Sequence, residues 1–160
     1  MVEDRKVGVA TDFSKSSNSA LKWAIENMAD KGDTFYIIHV MSDGSRTNIW
    51  AKSGSPLIPL SILRQPEAMS NYGVQTDPEV LDMLDAAAGQ KEVNFVAKLY
   101  WGEARQKLID SIEDLKLDSL VMGSRGRGSI KRILMGSVSN FLMIHATCPV
   151  AIVRDSSKSK

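Results

Sequence analysis

The chain has 160 residues, of which 43% are hydrophobic and 24% charged, as in an ordinary globular domain with a sizeable core. Its 20 basic and 19 acidic residues leave a net charge of +1, so no overall charge attracts nucleic acid or an anionic membrane. Cys148 is the only cysteine, which excludes an intramolecular disulfide. No apolar run approaches the roughly 20 residues that cross a bilayer, and residues 1–6 lack a signal-peptide pattern. These features predict an intracellular, cytoplasmic protein.

The amino-terminal part of the sequence alternates between strand and helix. Residues 6–10 form a short apolar run that predicts a buried strand, and a polar turn follows it. Apolar residues then recur at helical spacing over 20–28, behind a serine-rich segment that offers N-caps. Residues 34–40 are rich in aromatic and β-branched side chains and predict a second strand.

Residues 42–75 interrupt this alternation. They contain several glycines and prolines and show no sustained period. An irregular segment of this length is uncommon inside a compact domain and is usually functional. We therefore interpret residues 42–75 as an insertion near one edge of the fold, with a short helical turn around 60–63.

The alternation resumes at Asp77-Pro78, an N-cap followed by proline at the first helical position. Strands are predicted over 93–100, 117–122 and 150–153, with helices between them. Helical crossovers between consecutive strands predict one α/β domain, residues 1–154, with a polar tail over 155–160. Its core would be a doubly wound, five-stranded parallel sheet covered by helices on both faces.

The glycine-rich segment after the fourth strand is the most informative motif. It reads GSRGRG over 123–128 and continues to GSVSN over 136–140, just before a helix. Backbone N–H groups at a helix N-terminus attract anions, and Arg125 adds positive charge. The segment lacks both the Walker A ending and the dinucleotide fingerprint. A phosphate site is favoured over the alternative, a turn that uses glycine for geometry and arginine for solubility.

These glycines also carry a resemblance to a known family. The spacing of Gly123, Gly126 and Gly136-Ser137 resembles the ATP-binding pattern of the universal stress proteins. The stretches VMGSRGRGSIKRILMGSVSN, HATCPVAIVR, VGVATDFSKSSNSALKWA and LYWGEARQKLID look like the plant branch of that family. The resemblance covers nearly all of the chain apart from much of 41–72. It implies an adenine nucleotide alpha-hydrolase-like fold with strand order 3-2-1-4-5.

The resemblance further implies a nucleotide site at the ends of three strands. Ala10, Thr11 and Asp12 would contact the base and ribose. Val40, at the end of the second strand, would line the adenine pocket. The ribose and phosphates would lie against the fourth strand and the segment after it, at Met122, Gly123, Arg125, Gly126, Gly136, Ser137, Val138 and Ser139.

The implied strand order agrees with the physics of open α/β sheets. In that order the first and fourth strands flank the topological switch point, where ligands bind at the carboxyl ends of the strands. Asp12 and Gly123 both follow such ends. Asp12 has an alternative role as a helix N-cap or turn residue. Alanine at position 10, where several nucleotide-binding relatives have proline, removes no donor to phosphate.

The resemblance implies a stress-response module that binds ATP or AMP, with Mg²⁺ or Mn²⁺ bridging the phosphates. The alternatives are a slow ATPase, for which no general base is evident, and a dimeric holdase-like chaperone or scaffold. A homodimer through Val150–Val153 is implied, and a short β-branched edge strand is suited to pairing with its copy. No catalytic or metal-ligating residues are predicted, and no nucleic-acid or membrane partner.

Overall fold

A computed structural model describes residues 4–11, 18–41, 57–123 and 134–153, with backbone alone over 134–137. Asp12, Arg125 and Gly126 therefore lie outside the described residues. In chain order the elements are β1 (Lys6–Ala10), α1 (Ser19–Met28), β2 (Thr34–Met41), β3 (Leu57–Pro59), α2 (Leu60–Leu63), α3 (Pro66–Ser70), α4 (Pro78–Lys91), β4 (Asn94–Trp101), α5 (Ala104–Leu115), β5 (Ser119–Gly123), α6 (Leu134–His145) and β6 (Val150–Val153).

The strands form a sheet with the order β3-β4-β2-β1-β5-β6. All neighbours run parallel except β3 and β4, which are antiparallel. Without β3, the parallel strands follow the order 3-2-1-4-5 in chain numbering, so the predicted doubly wound α/β fold is confirmed. Over the residues that the structure describes, the predicted count of five strands needs correction to six.

The additional strand lies in the insertion and forms one edge of the sheet. Ile58 is 2% exposed and joins the hydrophobic core, whereas Leu57 on the opposite face is 53% exposed. Pro59 is tolerated because an edge strand has one side without ladder hydrogen bonds. The helical turn predicted around 60–63 is present as α2. The insertion is thus packed onto the domain over residues 57–74.

Helices cover both faces of the sheet. On one face, α1 and α4 pack on alternate residues of β1, β2 and β4, including Val9 and Phe35. On the other face, α5 and α6 pack on Ile38 and Leu120. The N-terminus of α4 is capped as predicted, since the Asp77 carboxylate accepts a hydrogen bond of 2.8 Å from the Glu79 N–H. Among the helices that the structure describes, none has the length and apolar character needed to span a membrane.

Candidate functional site

The carboxyl ends of β1, β2 and β5 meet at one edge of the sheet. Ala10 is aligned with Ile38 of β2 on one side and with Met122 of β5 on the other. The Thr11 N–H extends this alignment by donating a hydrogen bond of 3.0 Å to the Ile38 carbonyl. The strand order reverses at β1, so the gap between β1 and β5 is the topological switch point where open α/β sheets bind ligands.

The predicted residues at this edge differ in what they offer a ligand. Met122 is 2% exposed and its side chain belongs to the core beneath α5 and α6. Val138 of α6 is buried in the same cluster. These two side chains therefore support the edge from the core. Ala10, Thr11, Val40 and Gly123 are half-buried and accessible.

Residues 136–139 lie inside the first turns of α6, not in the loop before it. The sequence predicts the glycine-rich segment ahead of a helix, yet α6 begins at Leu134. Val138 and Leu142 are one turn apart and both buried, which keeps this stretch helical although glycine costs about 1 kcal/mol in a helix interior. Gly136 and Ser137 thus fall in the first turn, where backbone N–H groups lack intrahelical acceptors.

The start of α5 brings an arginine to the same edge. Glu103 caps this helix, because its carboxylate accepts a hydrogen bond of 3.3 Å from the Gln106 N–H. The same carboxylate pairs with the Arg105 guanidinium at 2.7 Å. The hydrogen bond from Arg105 holds the pKa of Glu103 below its usual range. Arg105 also lies over the Phe141 ring of α6, with its Cζ 5.5 Å from the ring centroid.

The carboxyl edge includes two residues that the sequence analysis did not select. Met41 ends β2 and is aligned with Trp101, which ends β4. The Gly102 N–H donates a hydrogen bond of 2.9 Å to the Met41 carbonyl and closes this corner. The buried Nε1 of Trp101 has no hydrogen-bond partner among the described residues. Ligands in open α/β sheets bind at the carboxyl ends of strands. The same rule applied to the end of β4 would have selected this corner.

Within the described ranges, the remaining polar groups of the edge form no metal cluster. Among the described residues, no group of three His, Cys, Asp or Glu side chains is close enough to hold a metal ion. His145 is exposed and packs on Phe141 with 4.3 Å between ring centroids. It belongs to the surface of α6 and not to the core.

The chain belongs to the universal stress protein family, whose pattern matches residues 4–154. It is 34% identical over 164 residues to universal stress protein PHOS34 of Arabidopsis thaliana, an alignment that covers 94% of this chain and 62% of that protein. The chain thus spans less than two thirds of the length of this relative. The family prediction and the likeness to plant members are confirmed.

Two solved structures share the fold at low sequence identity. One is a universal stress protein family protein from Arabidopsis thaliana with AMP bound, with a TM-score of 0.56 and 20% identity. It is matched over 96% of this chain and 93% of that one. The other, from Archaeoglobus fulgidus in complex with dAMP, has a TM-score of 0.54, 17% identity and coverages of 96% and 99%.

Proposed function

We propose that this protein binds an adenine nucleotide, ATP or AMP, at the carboxyl edge between β1 and β5. The alignment of Ala10 with Met122 supports this proposal most directly, because it sets Thr11 and Gly123 on the two sides of the switch point. The AMP and dAMP found in two structures of this fold support the choice of ligand.

In this proposal each segment contacts one part of the nucleotide. The base lies against Val40, and the ribose lies near Ala10, Thr11 and Asp12. The phosphates face Gly123, Arg125 and Gly126 and the first turns of α6, where Gly136, Ser137 and Ser139 lie. The positive end of the helix dipole favours phosphate there. A divalent cation, Mg²⁺ or Mn²⁺, would be held mainly by the phosphates and water.

We further propose that nucleotide occupancy, and not turnover, is the output of this site. The described part of the carboxyl edge carries aliphatic, hydroxyl, glycine, methionine and tryptophan residues, with Arg105 beside Glu103 as its charged pair. A hydrolase would need a base that activates water next to the outer phosphate. Phosphate release from ATP at a rate above the no-protein control would favour the slow ATPase instead. Suppression of client aggregation without nucleotide would favour the holdase.

Binding is tested by calorimetric titration of nucleotide-stripped protein with ATP and AMP. We expect Gly136→Asp to weaken binding at least about tenfold, which is 1.4 kcal/mol, because it puts a carboxylate where phosphate would bind. Gly89→Asp is the matched control, since Gly89 is an exposed helical glycine of α4 with open space around its Cα hydrogens. Absence of binding to the unmodified protein would overturn the proposal.

We also propose a homodimer through β6, the last strand in the sheet order. All of its residues are half-buried in the single chain. Met143 of α6 is 68% exposed. Met143 follows Phe141 by two residues, which is about 200° around the helix. Because Phe141 faces Arg105 of α5, Met143 lies on the side of α6 away from α5, toward the sheet edge formed by β6. An apolar strip beside an open strand edge is suited to pairing with its copy.

Analytical ultracentrifugation tests this assembly. We expect the unmodified protein to sediment as two chains and Met143→Glu to shift the equilibrium toward one. Leu57→Glu is the control, because Leu57 is an equally apolar, exposed residue on the strand at the opposite edge of the sheet. A monomer at all concentrations, or equal effects of both substitutions, would contradict a β6 dimer.

A further inference from the structure

Arg105 lies in the seam between α5 and α6. It is the second residue of α5. Its side chain extends over the Phe141 ring of α6, at 5.5 Å from Cζ to centroid. Because parallel strands lead into helices that run back over the sheet, α5 and α6 both begin near the carboxyl edge. The guanidinium is therefore at the end of the seam where the nucleotide site is proposed.

The register of α6 relates this arginine to the proposed phosphate contacts. Ser137 precedes Phe141 by four residues in the same helix. Residues at this spacing lie on one face of a helix, about 5–6 Å apart. Arg105, over Phe141, is thus on the side of α6 where Ser137 lies one turn closer to the start of the helix. Arginine has a long flexible stem, and its planar fork of donors matches phosphate oxygens.

The present partner of Arg105 is exchangeable. The ion pair with Glu103 joins two side chains that are both substantially exposed. Pairs of this kind contribute little in water, because solvent screens them and two side chains must be held in one geometry. The outer phosphates of ATP carry more negative charge than one carboxylate. A short rotation of the side chain would exchange the Glu103 contact for phosphate without disturbing the cap that Glu103 provides to Gln106.

We propose that Arg105 binds the outer phosphates of the nucleotide and gives the site a preference for ATP over AMP, with Glu103 holding the arginine in the empty site. This inference rests on the proposed nucleotide site and names its preferred ligand. In the proposed site the AMP phosphate would lie nearest Gly123, and the outer phosphates of ATP would extend farther along the first turn of α6. Arg105 is placed to distinguish the two.

Calorimetric titration of ATP and of AMP tests the inference with three variants. We expect Arg105→Ala to weaken ATP binding about tenfold and AMP binding less than about twofold, so that the ratio of the two affinities changes. Glu103→Gln keeps an oxygen at the cap but releases the arginine, and ATP binding should strengthen about two- to threefold. Arg64→Ala is the matched control, because Arg64 forms a comparable surface ion pair with Asp85 at 3.1 Å.

The outcomes separate the two proposals. If the unmodified protein binds neither nucleotide, the nucleotide site itself is wrong and the inference falls with it. If both bind and Arg105→Ala leaves their affinity ratio unchanged, the site stands and the role of Arg105 is overturned. Circular dichroism checks that each variant folds, and Arg105→Lys provides a second variant that keeps the charge. Its affinity ratio should lie between those of the alanine variant and the unmodified protein.

Discussion

Asp33 anchors the amino ends of β1 and β2, opposite the proposed site. Its side chain is only 1% exposed. Its carboxylate accepts hydrogen bonds of 2.8 Å from the Arg5 guanidinium, 3.0 Å from the Arg5 N–H and 2.9 Å from the Asp30 N–H. Burial of the carboxyl raises its pKa, but the hydrogen bonds from Arg5 and the two N–H groups together hold the pKa of Asp33 below its usual range.

The sign of this shift predicts an acid-dependent stability. A carboxyl whose pKa is lower when folded stabilises the fold fully above its unfolded pKa, about 3.9. That contribution is lost as pH falls toward the lower folded pKa. We expect the free energy of unfolding, measured with urea between pH 7 and pH 2.5, to fall more steeply below pH 4 than in Asp33→Asn. At pH 7 the variant should be less stable by about 1–3 kcal/mol, as charged hydrogen bonds are weakened.

The comparison has an internal control. Asp33 lies at the amino ends of the strands, so Asp33→Asn should leave nucleotide affinity unchanged. Parallel pH profiles for the unmodified protein and the variant would mean that Asp33 does not carry the predicted acid dependence.

At the scale of elements, β3 decides whether the insertion is part of the folded domain. Its neighbouring residues offer a matched pair, because Ile58 is buried in the core and Leu57 is exposed on the other face. We expect Ile58→Ala to lower the free energy of unfolding by about 2–4 kcal/mol through lost burial and a residual cavity. Leu57→Ala should cost less than about 0.5 kcal/mol. Urea unfolding measures both changes.

Equal, small effects at both positions would indicate that β3 is not docked in solution. A large cost at Leu57 instead would indicate that its exposed face is covered by a partner chain. The pair therefore separates docking of the insertion from assembly.

Long elements were easier to predict from the sequence than short ones. β1, β4 and β5 were predictable because an apolar run precedes an amphipathic helix, whereas β2 and β6 were predictable from their β-branched and aromatic residues. β3 was not predictable, since three residues containing Pro59 have no detectable period and pair antiparallel with distant Lys98. The early start of α6 was also missed. Gly136 suggested a loop, but the packing of Val138 and Leu142 overrides its low helix propensity.

At the scale of the whole molecule, the candidate site lies at one edge where both helical layers meet the sheet. The sequence predicted which strand ends meet at this edge, since Ala10 and Gly123 end apolar strands and the family resemblance supplied the strand order. It did not predict that the Met122 side chain packs beneath α5 and α6, or that Arg105 lies over Phe141. Those contacts join residues far apart in sequence, and only tertiary packing determines them.

This geometry predicts that nucleotide stabilises the domain as a unit. The proposed ligand would contact β1, β5 and α6 together, so local opening of any of them would release it. A ligand that binds only the folded state at 100 times its dissociation constant stabilises it by about 2.7 kcal/mol. For a domain of this size that corresponds to a rise in Tm of about 5–10 °C, measurable by circular dichroism.

Two variants show whether this rise originates at the proposed edge. Gly136→Asp should gain only about half as many degrees from ATP, because a tenfold weaker affinity lowers the stabilisation from about 2.7 to about 1.4 kcal/mol. Asp33→Asn should start from a lower Tm, since it weakens the amino ends of the strands, yet gain as many degrees from ATP as the unmodified protein. If ATP raises the Tm of Gly136→Asp as much as that of the unmodified protein, the ligand does not contact α6. A gain abolished by Asp33→Asn would mean that the two ends of the sheet are coupled, and that the carboxyl edge is not an independent site.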